Sequence, residues 1–182
     1  MEIRRYAWEN ASGWSLLEWM ESGVVLFEFG FKSREEAQDY GLETGDIPKA
    51  QAYRTDWMRD AVSQINKYFE GRLKKFDIPL DFFGETEFRQ KVWREAAKIP
   101  YGKTISYSEL AAAVGSPGGA RAVGNALGAN PVPVIVPCHR ILKSDGALGG
   151  FSAGIDVKKA LLALERGETA DFSSAKFIQR MK

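Results

Sequence analysis

The period of apolar and polar residues changes along this chain, and each change predicts an element. Trp14–Met20 and Val24–Phe29 are short apolar, β-rich runs separated by Glu21-Ser22-Gly23, which predicts a hairpin, with Tyr6-Ala7-Trp8 as a third strand. From about Asp56 to Phe69 the spacing becomes helical: Trp57, Ala61, Ile65 and Tyr68 share a face, Thr55 can cap the start and Gly71 can end it. Pro79 and Gly84 then interrupt periodicity, so Gly71–Phe83 reads as a linker. A second helix follows with Phe88, Val92, Ala96 and Ile99 on its core face, Thr86 as cap and Glu87 at the positive end of its dipole. Pro100-Tyr101-Gly102 stops it.

Ser106-Tyr107-Ser108-Glu109 matches a capping box, in which the serine oxygen accepts from the Glu109 backbone and the carboxylate returns to Ser106. That helix runs through Leu110–Val114 to a stop at Gly115. Ser116 can cap, and Pro117 can open, a further helix to about Gly128, before Asn130-Pro131. Two short helices about a glycine turn have helix-turn-helix dimensions. The second is built almost wholly of small residues. That fits either close approach of its backbone to another surface, with Arg121 projecting, or packing inside the domain through Val123 and Leu127.

At 182 residues and 45% hydrophobic, the chain can bury an ordinary core as one large or two small domains. No apolar run reaches the roughly 20 residues of a membrane helix, and Met1–Tyr6 lacks a signal-peptide core, so an intracellular, cytoplasmic location without membrane attachment is expected. Net charge is +1, but residues 1–85 carry 11 Lys/Arg and 16 Asp/Glu whereas the remainder carry 14 and 8. Any polyanion is therefore expected on the C-terminal part.

The chain has one cysteine and one histidine, adjacent in Pro137-Cys138-His139-Arg140. They cannot supply the four ligands of a structural zinc site, and no disulfide forms within the chain, so no metal is expected. An isolated cysteine is most often a small buried hydrophobe. Beside an imidazole it can instead be a nucleophile, because the thiolate is the reactive form.

Phe88–Gly102, Ser106-Tyr107, Ala120-Arg121-Ala122-Val123-Gly124, Asn130-Pro131-Val132-Pro133, Pro137-Cys138-His139-Arg140, Gly149-Gly150-Phe151-Ser152 and Leu161–Glu165 together resemble the O6-alkylguanine-DNA alkyltransferase family, in order and spacing. The resemblance spans about residues 84–167. It implies an α+β protein: an RNase H-like sheet domain over 1–80, a mostly helical active-site domain with a helix-turn-helix over 84–167, and an extension over 168–182. It implies irreversible, cofactor-free transfer of an alkyl group from O6-alkylguanine in double-stranded DNA to Cys138, once per molecule, and leaves O4-alkylthymine open. Cys138 would be the acceptor, and His139 and Glu165 would form a water-linked relay with it. Asn130 would brace the active-site turn, and Tyr107 would donate to the purine. Ile141, Phe151 and Ser152 would line the base pocket, while Ser106, Ala120, Arg121 and Gly124 would contact DNA from the minor groove. Arg121 would fill the gap left by a flipped nucleotide, and the protein would act as a monomer. Two departures stand out. Phe151 replaces the tyrosine of many relatives, and the N-terminal part lacks the cysteines and histidines with which some members bind zinc.

Two other classes compete. A cysteine hydrolase usually places its histidine far from the cysteine in sequence, whereas here they are adjacent. A non-catalytic reader of alkylated bases would keep Tyr107, Arg121 and the helix pair but would not need Cys138, His139 and Glu165 together.

Overall fold

The computed structural model describes residues 3–40 and 56–172. They divide into two compact units with the boundary between Asp81 and Phe82. The architecture is α+β, and among the described residues no helix is long and apolar enough to cross a membrane.

The first unit is an antiparallel sheet of β1 (Arg4–Asn10), β2 (Gly13–Met20) and β3 (Gly23–Phe31), in that order. Register places Tyr6 opposite Leu17 and Leu17 opposite Phe27, while Trp8 faces Ser15 and Ser15 faces Phe29. Alternation along a strand sends all of these to one face. The small Ser15 between two aromatic rows lets Trp8 approach Phe27 across β2 at 6.1 Å, while Phe27 and Phe29 lie 5.7 Å apart along β3. Helix α2 (Asp56–Phe69) covers that face, with Phe69 5.3 Å from Phe29 and the Trp8 indole donating to Asn66 at 2.8 Å. Ala61, Ile65 and Tyr68 are buried as the helical period requires. The proposed cap, Thr55, lies outside the described residues.

Two features of this unit depart from the sequence pattern. A short helix, α1 (Arg34–Asp39), follows β3, with the Ser33 side chain accepting from Glu36 N at its start. Ser33-Arg34-Glu35-Glu36 carries the serine-to-glutamate spacing of a helix start, so the signal was present. The Gly71–Phe83 stretch is also not a free linker. Gln64 bonds the Asp77 backbone in both directions, and Val24 of β3 donates to Pro79 O at 2.8 Å and accepts from Asp81 N at 2.9 Å. Most of the stretch therefore belongs to the first unit.

The second unit starts with α3 (Glu87–Ala96), capped by Thr86, and packs it against α4 (Tyr107–Ala113) and α5 (Ala120–Gly128). Trp93 is its central residue, fully buried and donating its indole N–H to Ala126 O at 2.8 Å. Phe88, expected on the core face, is only half-buried. The capping box at Ser106 forms with both of its bonds, Ser106 N to Glu109 at 2.6 Å and Glu109 N to Ser106 at 3.1 Å. Helix α5 starts at Ala120, later than the Pro117 expected from sequence, because Gly118 has a φ of 85° outside the helical region and Gly119 takes the cap position. A parallel pair, β4 (Ile105–Ser106) and β5 (Ile141–Leu142), ties the start of α4 to the segment after Cys138, and α6 (Ile155–Glu165) packs on that segment.

Candidate active site

Cys138 opens a 3-10 turn, Cys138–Arg140. The turn is reached through a tight backbone reversal: Val136 N bonds Val132 O at 3.0 Å, and Val134 takes a φ of 74°. A β-branched residue in the left-handed region is strained, by about 1–3 kcal/mol, and persists only where its surroundings dictate it. Here Val134 is fully buried. Asn130, also fully buried, spans the reversal: its Oδ1 accepts from Val132 N at 3.1 Å, and its Nδ2 donates to Val136 O at 3.0 Å and to Cys138 Sγ at 3.3 Å. A donor aimed at sulfur favours the charged form of the thiol.

Behind the turn lies a buried ionic cluster. His139 Nε2 is 2.7 Å from Glu165 Oε1, at the last residue of α6. An ionised carboxylate can only accept, so Nε2 carries the hydrogen and Nδ1 is the basic nitrogen of the neutral ring. Burial lowers the His139 pKa, partly opposed by Glu165 and reinforced by Arg140 and Lys158. The Arg140 guanidinium straddles Glu165 with Nε at 3.1 and 3.0 Å from its two oxygens and Nη2 at 2.8 Å, while Nη1 donates to Ile99 O at 2.5 Å. Gly102 N adds a donor to Glu165 at 2.9 Å. Burial alone would raise the Glu165 pKa, but hydrogen bonds from His139, Arg140 and Gly102 prevail and hold it at about 2. Of the other cations on and after α6, Arg166 pairs with Glu168 and Lys158 donates to Ile141 O.

Cys138 exposes 5% of its surface, on the wall of a cleft of about 550 Å³ lined also by Tyr107, Arg121, Gly124, Phe151 and Ser152. The Tyr107 ring is held between two glycines. A Cβ on Gly149 would overlap the ring, whereas one on Gly124 would meet it at an ordinary 3.7 Å. The Tyr107 hydroxyl lies 3.4 Å from Gly150 O, and its pKa is raised by burial and by a negative charge at Cys138. A protonated hydroxyl is thus available as donor in the cleft. Lys158, fully buried on α6, donates to Ile141 O at 2.6 Å and sits 5.9 Å from the Tyr107 ring centroid. Burial lowers its pKa and a charge at Cys138 raises it.

Of the residues expected from sequence, Cys138, Tyr107, Phe151, Ser152, Ala120, Arg121 and Gly124 line the cleft. Asn130, His139 and Glu165 are brought together behind it. The Ile141 side chain is fully buried in β5 and is not part of the cleft wall. Ser106 lies outside the cleft wall as well, with its hydroxyl occupied in the capping box. Arg140 and Lys158 were not legible as site residues, because nothing in their spacing distinguishes them from solvated charges. Among the described residues no group of three or more His, Cys, Asp or Glu side chains could hold a metal ion.

Residues 87–167 match the DNA binding domain family of 6-O-methylguanine DNA methyltransferase, and residues 28–82 match its ribonuclease-like domain family. A methylated-DNA–protein-cysteine methyltransferase of Mycobacterium bovis is 50% identical over 119 residues, covering 62% of this chain and 72% of that protein. A protein of the same name from Methanosarcina barkeri is 42% identical over 125 residues, 69% and 78% of the two chains. The Mycobacterium tuberculosis OGT structure in complex with DNA superposes with a TM-score of 0.74 at 35% identity, covering 93% of this chain and 96% of that one.

Proposed function

This chain belongs to the methylated-DNA–protein-cysteine methyltransferase family, and on that premise we propose that it repairs alkylated DNA by moving the alkyl group from guanine O6 to Cys138. The observation that carries the assignment to Cys138 is its position: it is the one cysteine of the chain, it lines the cleft, and it receives the Asn130 N–H at 3.3 Å. His139, buried behind it and oriented by Glu165 at 2.7 Å, is the base that removes the thiol proton, through a bridging water. The sulfur then attacks the alkyl carbon. A carbon–sulfur bond forms, the carbon–O6 bond breaks, and its electron pair remains on the guanine.

Expelling guanine is eased by a donor that neutralises the charge developing on the ring, and Tyr107, protonated and inside the cleft, has that role. Ser152 and Phe151 meet the base, the first by its hydroxyl and the second by stacking. A base inside a duplex cannot reach a sulfur this recessed, so the nucleotide is extruded, with exposed Arg121 of α5 taking its place and the small residues of α5 lying in the minor groove. Every group named comes from one chain, so a single copy suffices. The thioether has no easily expelled group, so each molecule reacts once. Incubation with duplex DNA bearing O6-methylguanine, followed by mass spectrometry, tests this: a gain of one methylene on Cys138, at most once per molecule, is expected. Binding without mass gain would make the protein a reader of damage, and repeated turnover would make it a hydrolase.

A further inference from the structure

Glu165 is held by more donors than the orientation of one imidazole requires. Both its oxygens receive Arg140, Oε2 also receives Gly102 N, and Oε1 also receives His139. Arg140 is fixed in turn, by Ile99 O and by the Tyr101 ring, whose centroid lies 5.8 Å from the guanidinium carbon. Tyr101 itself donates to Leu164 O at 3.1 Å, so the turn after α3 and the end of α6 are pinned to the same point.

We propose that Arg140 is a positioning residue for the reaction: together with Gly102 N–H it keeps Glu165 an ionised acceptor throughout, so that the proton removed from Cys138 rests on His139 as imidazolium and is not passed to Glu165. This rests on the assignment of Cys138 as alkyl acceptor and adds to it where the proton resides. A guanidinium stays charged at every pH the protein meets, and its planar fork matches a carboxylate at two points, which an ammonium does not. The groups facing Glu165 are His139 and Arg140 from the 3-10 turn and Tyr101 and Gly102 from the turn after α3; Lys158, on α6 itself, acts on His139. Two fixed cations around the imidazole raise the cost of protonating it, and the ionised Glu165 offsets that cost. Removing Arg140 lets the carboxyl pKa rise toward its ordinary range, and a protonated Glu165 no longer fixes His139 as the Nε2–H tautomer.

The chain has a single histidine, so 15N-histidine labelling reports one imidazole without assignment. In the DNA-free, full-length protein, the wild type should show the Nε2–H tautomer with a pyridine-type Nδ1. Arg140→Gln should mix the tautomers and move the acid limb of the single-turnover pH–rate profile to higher pH. It should also slow alkyl transfer on the order of 100-fold, the lower end of what a positioned general base contributes. Arg140→Lys should recover part of each, since it restores charge without the fork. In a Glu165→Gln background, replacing Arg140 should cost little further rate, because the residue acts through that carboxylate. Wild-type tautomer populations and an unshifted pH profile in Arg140→Gln, or in Arg140→Lys should the glutamine variant not fold, would overturn the proposal. The spectrum needs no DNA, whereas the methylene mass gain of the wild type tests the acceptor assignment itself, so the two can fail separately.

Discussion

Among the described residues, the first unit buries Trp8, Trp19, Phe27, Phe29, Tyr68 and Phe69 beside a single carboxylate, Glu28, whereas the second encloses His139, Arg140, Lys158 and Glu165 together with Asn130. Burying apolar area stabilises at roughly 25 cal/mol per Å² with no requirement for exact partners. Burying charge costs several kcal/mol per ion and is repaid only where every hydrogen bond is met. The first interior is thus what folding alone selects. The second is what the proposed reaction requires, because the sulfur, the imidazole proposed as its base and the carboxylate that orients that imidazole must sit together out of water.

The sharpest way to break this contrast is Cys138→Ser. It should abolish alkyl transfer, read by mass spectrometry, and leave affinity for duplex DNA within a few-fold; any surviving transfer to residue 138 would refute the sulfur's role. Next comes Glu165→Ala, which strands the Arg140 charge and is expected to cost about 3–5 kcal/mol in denaturant unfolding, the range for breaking a buried pair from one side. That pair also sets an acid limit. Because the Glu165 pKa is depressed to about 2 from an ordinary 4.5, its contribution is complete above about pH 4.5 and is lost as pH falls toward 2. His139, depressed by burial, adds loss of the same sign as pH falls below its ordinary 6.5. Melting curves should therefore fall more steeply with acid in the wild type than in Glu165→Gln.

Ile65→Ala, in the fully buried stripe of α2, should cost about 2–5 kcal/mol yet leave each folded molecule accepting one alkyl group. Loss of stoichiometric transfer in the folded variant would show that the first interior does more than support its own unit. The smallest effects come from a glycine pair. Gly149→Ala must displace the Tyr107 ring and should slow transfer at unchanged DNA affinity, while Gly124→Ala meets the ring at 3.7 Å and should raise stability by about 0.5–1 kcal/mol through helix propensity. A slowed Gly124→Ala variant with weakened DNA binding would indicate that this helix backbone, not the ring, is the surface that needs the space.

Much of this was readable in one dimension because the signals were local. The hairpin at Glu21-Ser22-Gly23, the α2 stripe and the capping box at Ser106 each depend on residues a few positions apart, and each formed with the expected partners. Local reasoning failed where a backbone angle or a distant partner decided. Gly118 delays α5 through its positive φ, and Pro79–Asp81, taken for linker, is captured by Val24 more than 50 residues earlier. In the site, Cys138, His139, Glu165 and Ile141 came from a family pattern, not from periodicity. Arg140 and Lys158 are charges whose burial follows only from tertiary packing, as does the burial of the Ile141 side chain in β5. The strained Val134 leaves no trace in composition at all.

The recessed sulfur has a consequence for the lifetime of the unreacted protein. Under the proposed chemistry one event consumes the molecule, so its thiol must not be squandered beforehand on the oxidants and bulky disulfides of its surroundings. With 5% of Cys138 exposed on the wall of a cleft that Tyr107 and Phe151 also line, such reagents must first enter that cleft. Seclusion thus acts as a safety catch on the thiol, whatever the substrate that finally reaches it.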